Sequence, residues 1–123
     1  MCNEYYDIMK RTVELAETGL EGLEQIKIDL KEGKYEQTVT LLQDTLNAFC
    51  SIEKAIQPMM PNLLPNELAQ LSDQLTKAYQ LMTSAYEQRA YNELEEIMQY
   101  NLLPSYKKWH AEIDRSLLPY ISC

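Results

Sequence analysis

Two stretches of this chain, 56 residues apart, begin alike. Tyr35-Glu36-Gln37 opens a long apolar-periodic segment just after a break at Gly33-Lys34, and Tyr91-Asn92-Glu93 opens another after Arg89-Ala90. Leu46 and Leu102 follow the two tyrosines at the same distance. Helical segments joined by breaks this short must fold back against each other. Two such hairpins in tandem supply four helices, enough to close a core. Beyond Pro104 the matching offset becomes 57, pairing Phe49 with Tyr106 and Ile56 with Ile113. A one-residue slip is what a local helix irregularity leaves behind. Amphipathic helices resemble one another in any case, so duplication and chance similarity both stay open.

The apolar spacing predicts a first helix from about Asn3, a suitable N-cap, to Glu32. Tyr6, Met9, Val13, Ala16, Leu20, Leu23 and Leu30 form its stripe, with Ile26 beside Lys27. Gly33 is a helix stop. A second helix runs from Tyr35 to about Gln57 on Val39, Leu42, Leu46, Phe49, Ile52 and Ile56. Pro58, Pro61 and Pro65 then mark the one internal linker, with Asn62 or Asn66 to cap the third helix. That helix keeps a heptad seam through Leu64, Leu68, Leu71, Leu75, Ala78, Met82 and Ala85 to about Gln88. The fourth starts at Tyr91 and carries Leu94, Met98, Leu102, Tyr106, Trp109, Ile113 and Leu117. Pro104 lies inside it, where a proline frees the carbonyl of Tyr100 at about 3 kcal/mol unless packing compensates. The expectation is a helix kinked at Pro104, or two shorter helices meeting near Leu103, ended by Pro119. The fold class is therefore all-α: a single antiparallel four-helix bundle over residues 1–123, with hairpin one at 3–57, a linker at 58–65 and hairpin two at 66–118.

Composition narrows the function classes. A chain of 123 residues, 46% apolar and 24% charged, has the makings of one self-sufficient core and not of a disordered segment. The net charge of −8 argues against nucleic acid, which needs clustered Lys and Arg, and against an anionic membrane surface. No signal segment and no run of about 18 apolar residues is visible, so the cytoplasm is the expected location. Cys2, Cys50 and Cys123 show no metal-type spacing. In an up-down-up-down bundle both termini reach one end, so a Cys2–Cys123 bridge is geometrically open, while compartment rules favour a reduced chain.

No constellation of catalytic residues emerges. Di-iron bundles use paired Glu-x-x-His motifs, whereas the one histidine, His110, follows Lys107 at that spacing. His110 has no nucleophile partner in sequence, and phosphate-binding glycine loops are absent. The expectation is a non-enzyme without metal or cofactor. Gly19 adjoins the first helix's seam and reads as a point of close helix approach; Gly22 has no account in the sequence. The apolar linker, Gln57 to Leu64, reads either as a lid over the end of the bundle or as an adaptable docking surface. Tyr79 and Tyr86, seven residues apart, share one face of the third helix, as helix margins or as the wall of a partner groove. The candidate partner-binding residues are accordingly Met59, Met60, Leu63, Tyr79, Tyr86, Tyr100, Tyr106 and Trp109. A ligand-binding alternative places Tyr106, Trp109 and His110 near a pocket opened by Pro104.

Glu32-Gly33-Lys34-Tyr35-Glu36 and Leu102-Leu103-Pro104-Ser105-Tyr106-Lys107-Lys108-Trp109 resemble landmarks of a small uncharacterised helical-bundle family of Firmicute type, a domain of unknown function. The resemblance spans about residues 15–117 and implies a fold and a bacterial cytosolic setting. Gln88-Arg89-Ala90-Tyr91-Asn92-Glu93-Leu94 is more weakly similar to flagellar export chaperones. The resulting expectation is a protein-binding bundle, an adaptor or export-chaperone-like molecule covering an amphipathic partner segment. The alternative is a structural or assembly protein acting through homodimerisation.

Overall fold

The computed structural model describes residues 5–122; the expected N-cap Asn3 and the Cys2–Cys123 pair lie outside the described residues. The described chain forms α1 (Tyr6–Lys31), α2 (Thr38–Ile56), a 3-10 turn (Gln57–Asn62), α3 (Leu68–Glu87), α4 (Tyr91–Ile97), a π-helical turn (Met98–Leu102) and α5 (Leu103–Ile121). The last three run on as one rod, so the architecture is a four-helix bundle with no strand among the described residues.

Both hairpins turn in the same way. After α1, Gly33 takes the left-handed conformation (φ 76°), Lys34 N–H reaches the Asp29 carbonyl at 3.0 Å and Gly33 N–H the Leu30 carbonyl at 3.1 Å. After α3, Arg89 takes that conformation (φ 56°), Ala90 N–H reaches Ala85 at 2.9 Å and Arg89 N–H reaches Tyr86 at 3.1 Å. These are two Schellman closures at the 56-residue offset. The burial register repeats as well. Thr12, Ala16, Gly19, Leu23 and Ile26 of α1 correspond to Leu68, Ser72, Leu75, Tyr79 and Met82 of α3, all buried. The sequence showed the repeat only in the second helix of each hairpin.

The one-residue slip has a physical form. Leu42 matches Met98 at offset 56, but Thr45 matches Leu102, and Phe49, Ile52 and Ile56 match Tyr106, Trp109 and Ile113, at 57. The extra residue is absorbed within the π turn, where Leu103 N–H bonds back five residues to the Met98 carbonyl. The irregularity thus precedes Pro104 instead of coinciding with it. The wider turn lets Pro104 occupy the second position of α5 without breaking the rod. Pro119 does not end α5, which continues to Ile121, and its own ring is exposed on the last turn.

The apolar stripes need correction at their margins. Thr12, Thr38 and Thr45 are buried, whereas Val13, Leu20 and Leu46 are half-buried and Val39 is 47% exposed. Threonine enters the core where its hydroxyl is satisfied, as when Thr45 donates to the Leu42 carbonyl at 2.9 Å. Helix α2 begins at Thr38, because Tyr35 to Gln37 form a turn, and α3 begins at Leu68, leaving Leu64 outside at 71% exposure.

The core centres on Phe49, Tyr79, Tyr106 and Trp109. Phe49 meets Trp109 edge-on at 5.1 Å and 85°, and Tyr106 meets Trp109 at 5.2 Å and 62°. Tyr106 donates a 2.8 Å hydrogen bond to the Ala16 carbonyl, and its hydroxyl fills the space a side chain at Gly19 would need. Gly22 also has its reason: a Cβ there would stand 3.0 Å from Thr45 Cγ2, so it sets the close α1–α2 packing. Opposite these contacts, Glu112 of α5 caps α3, accepting the Glu67 N–H at 2.8 Å while Arg115 grips the carboxylate with two 2.6 Å bonds. Asn66 accepts the Leu68 N–H at 3.1 Å, so it is the asparagine that caps.

Candidate functional site

Helix α1 packs extensively on α2 and α5, and α5 on α3, but the backbones of α2 and α3 scarcely approach each other. Two side-chain struts span the gap. Tyr79 donates to Thr45 Oγ1 at 3.0 Å, and that hydroxyl donates on to the Leu42 carbonyl. One heptad away, Thr38 donates to the Tyr35 carbonyl at 2.6 Å, which leaves Tyr86 to donate to Thr38. The tyrosine spacing of seven on α3 therefore meets a threonine spacing of seven on antiparallel α2. Burial pushes both phenols above their ordinary pKa, opposed by the threonine hydrogen bonds, which keeps them protonated as donors.

Because whole tyrosines stand between the helices, the outer side of the seam stays open. An upper groove of about 310 Å³ lies between Leu46 of α2 and Thr76, Tyr79, Gln80, Thr83, Ser84 and Glu87 of α3. A lower groove of about 150 Å³ is lined by Glu53, Ile56, Gln57 and Met60 on one side and Leu68, Ala69, Ser72 and Asp73 on the other. The upper groove is largely apolar and the lower one mixed, and every charged residue lining either groove is acidic. Glu53 is half-buried. Burial, reinforced by Asp73, raises its carboxyl pKa, against a hydrogen bond with Ser72.

The structure separates the residues expected to bind a partner. Met59, Tyr79, Tyr106 and Trp109 are at most 2% exposed and belong to the core, so none offers its face to a partner in this conformation. Their rings and thioether fill the space between helices, where burying large apolar surface is worth more than displaying it. Only the edge of Tyr79 reaches the seam. Met60 lines the lower groove, Leu63 is half-buried against the core, and Tyr86 is half-buried as a strut. Tyr100 stands 67% exposed on the π turn. The linker is thus divided, with Met59 tucked inward and Met60 at the seam.

The seam residues the sequence reading passed over are Leu46, Glu53, Ala69, Ser72, Asp73, Thr76, Gln80, Thr83 and Glu87. A signal existed. Ala69, Asp73, Thr76, Gln80, Thr83 and Glu87 recur every three or four residues, giving α3 a second face of small and polar side chains beside its apolar stripe.

Other features do not assemble into chemistry. His110 Nε2 lies 3.0 Å from Glu17 and 3.8 Å from Asp114, without hydrogen-bond alignment. The groove beside Leu103, lined by Glu24, Lys27, Ile28, Lys31 and Lys107, includes neither Tyr106, Trp109 nor His110, so no pocket gathers those three there. Among the described residues no group of three or more His, Cys, Asp or Glu side chains could hold a metal ion. No helix among them is long and apolar enough to cross a membrane. A further apolar groove of about 240 Å³ lies between α1 and α2, bordered by Ile8, Leu15 and Ala55.

The model of the family described as domain of unknown function DUF8042 matches residues 7–112. The chain belongs to this family. The matched span takes in both hairpin turns, both struts and the whole of the α2–α3 seam. Comparison with curated proteins and with solved structures finds no match.

Proposed function

We propose that this chain is a non-enzymatic protein-binding bundle of a bacterial cytoplasm, adaptor- or export-chaperone-like, that covers an amphipathic segment of a partner along the α2–α3 seam. The observation that carries this reading is the seam itself: an upper, largely apolar groove beside the Tyr79–Thr45 and Tyr86–Thr38 struts and a lower groove of mixed lining between the same two helices. Helix-in-groove recognition uses surfaces of this kind, with aliphatic anchors entering successive depressions. The test is capture of a partner from lysate by the wild-type chain and by a variant carrying Ala69→Arg and Thr83→Arg, two exposed positions on the groove walls. A stoichiometric partner held by the wild type and lost by the variant, at unchanged helicity, is expected. No stoichiometric partner, or equal capture by the variant, refutes the reading.

A second reading, assembly through homodimerisation, is favoured by the α1–α2 groove, beside which Ile8 and Leu15 stand 39% and 37% exposed. Sedimentation over a concentration range decides it: a monomer at all concentrations removes self-association.

A further inference from the structure

The geometry points to a basic amphipathic helix as the occupant of the α2–α3 seam, its apolar stripe in the two grooves and its Lys or Arg residues against Glu53, Asp73 and Glu87. This inference rests on the protein-binding reading and adds the chemistry of the partner.

The argument begins from how the molecule treats its carboxylates. Glu112, buried between α3 and α5, is given a two-pronged counter-ion in Arg115 and a backbone N–H. Glu53 is half-buried too, yet it shares the lower groove with a second carboxylate, Asp73, and no cation lines that groove. Lys77 follows Asp73 by one helical turn, but among the described residues the lysine and arginine ion pairs are those of Lys34 and Arg115. Two like charges lining one partly apolar depression are held at a cost to the folded chain, and a cation from outside relieves it.

Spacing then describes the occupant. Asp73, Gln80 and Glu87 lie at intervals of seven along α3 and form one ridge above the grooves. Asp73 and Glu87 are therefore about 21 Å apart along the helix at the usual rise per residue. A partner helix lying parallel to that ridge meets both carboxylates with cations about two heptads apart, on the flank of its apolar stripe. Leu46 and the edge of Tyr79 receive one end of the stripe, and Ile56 and Met60 the other.

Cys50 supplies the readout. It is exposed on α2, one turn from both Leu46 and Glu53, so an occupied seam shields it. In the full chain carrying Cys2→Ser and Cys123→Ser, the reaction rate of Cys50 with a thiol reagent is followed against three synthetic amphipathic helices of about 18 residues, one Leu/Lys, one Leu/Gln and one Leu/Glu. The Leu/Lys helix is expected to protect Cys50, and Glu53→Lys with Asp73→Lys to weaken that protection by roughly ten-fold. Glu14→Lys with Glu21→Lys, an equal charge change on exposed positions of α1, should leave it nearly intact. Circular dichroism checks that each variant folds. Equal weakening by the α1 pair means diffuse attraction to an acidic protein and overturns the inference. Better protection by the Leu/Gln or Leu/Glu helix overturns the basic partner while leaving the protein-binding reading standing. Protection by none of the three overturns the inference as well, and the capture experiment then decides the broader reading separately.

Discussion

The rings of Tyr35 and Tyr91 stack in parallel, 5.2 Å between centroids and 6° between planes. They hold equivalent places in the two halves, each two residues beyond the left-handed residue that closes a hairpin. Their contact therefore brings both hairpin turns together at one end of the bundle. A stacked aromatic pair of this kind adds about 0.5–1.5 kcal/mol beyond the area it buries. A double-mutant cycle on Tyr35→Ala and Tyr91→Ala, followed by denaturant unfolding, should return a coupling energy in that range. Additive losses would mean that the two turns are held independently.

Gly19 of α1 leaves room for the Tyr106 hydroxyl of α5. Gly19→Ala gains about 1 kcal/mol of helix propensity but drives a methyl into the Tyr106 hydroxyl, an overpacking worth about 1–3 kcal/mol. The substitution is expected to destabilise the wild type. Tyr106→Phe alone loses the bond to the Ala16 carbonyl, about 1 kcal/mol. Once the hydroxyl is gone, the ring carbon Cζ still lies 3.0 Å from the added methyl, so Gly19→Ala should cost markedly less without becoming free, and thermal melts of the four proteins read out that coupling.

Arg89 and its counterpart Gly33 both occupy the left-handed conformation, which a side chain resists and glycine adopts freely. Arg89→Gly is expected to stabilise by up to about 1 kcal/mol, reduced by the extra freedom glycine gives the unfolded chain. Gly33→Ala should destabilise by about 1 kcal/mol, through backbone strain alone, since no atom lies within 4 Å of the added methyl. Chemical denaturation midpoints check both signs.

Glu112 makes stability depend on pH at the acid end. The Arg115 hydrogen bonds, followed by the Glu67 N–H, hold its carboxyl below the ordinary value of 4.5, against the effect of burial. A depressed acid contributes stability that is fully present above the ordinary value and is lost as pH falls through the folded one. Wild type should therefore be more stable than Glu112→Gln at pH 7, with the difference shrinking as the solution is taken below about pH 4. Glu112→Ala also removes the cap on α3, a further loss of about 1 kcal/mol. Melting curves at a series of pH values follow both effects.

The architecture was legible because periodicity, glycine and proline act locally. A stripe at 3.6-residue spacing commits a segment to a helix, and Gly33 and the triple-proline linker commit the chain to turn where it does. Even the irregular fourth helix left a trace, as a shift of one residue between the halves. What the sequence could not assign was the direction in which each side chain faces. Tyr79, Tyr106 and Trp109 look suited to a partner surface, yet they are the filling of the core. Thr38 and Thr45 look like surface residues, yet they receive the tyrosine struts.

The binding surface depended on distances between helices far apart in the chain. Leu46, Glu53, Asp73 and Glu87 are ordinary helix residues until α2 and α3 are set side by side. The sequence by itself determined four helices, their turns and the acidity of the whole. Only the tertiary structure decided that α2 and α3 stand a tyrosine's length apart, because that gap follows from which side chains the other helices leave room for. An open seam with acidic walls is the result.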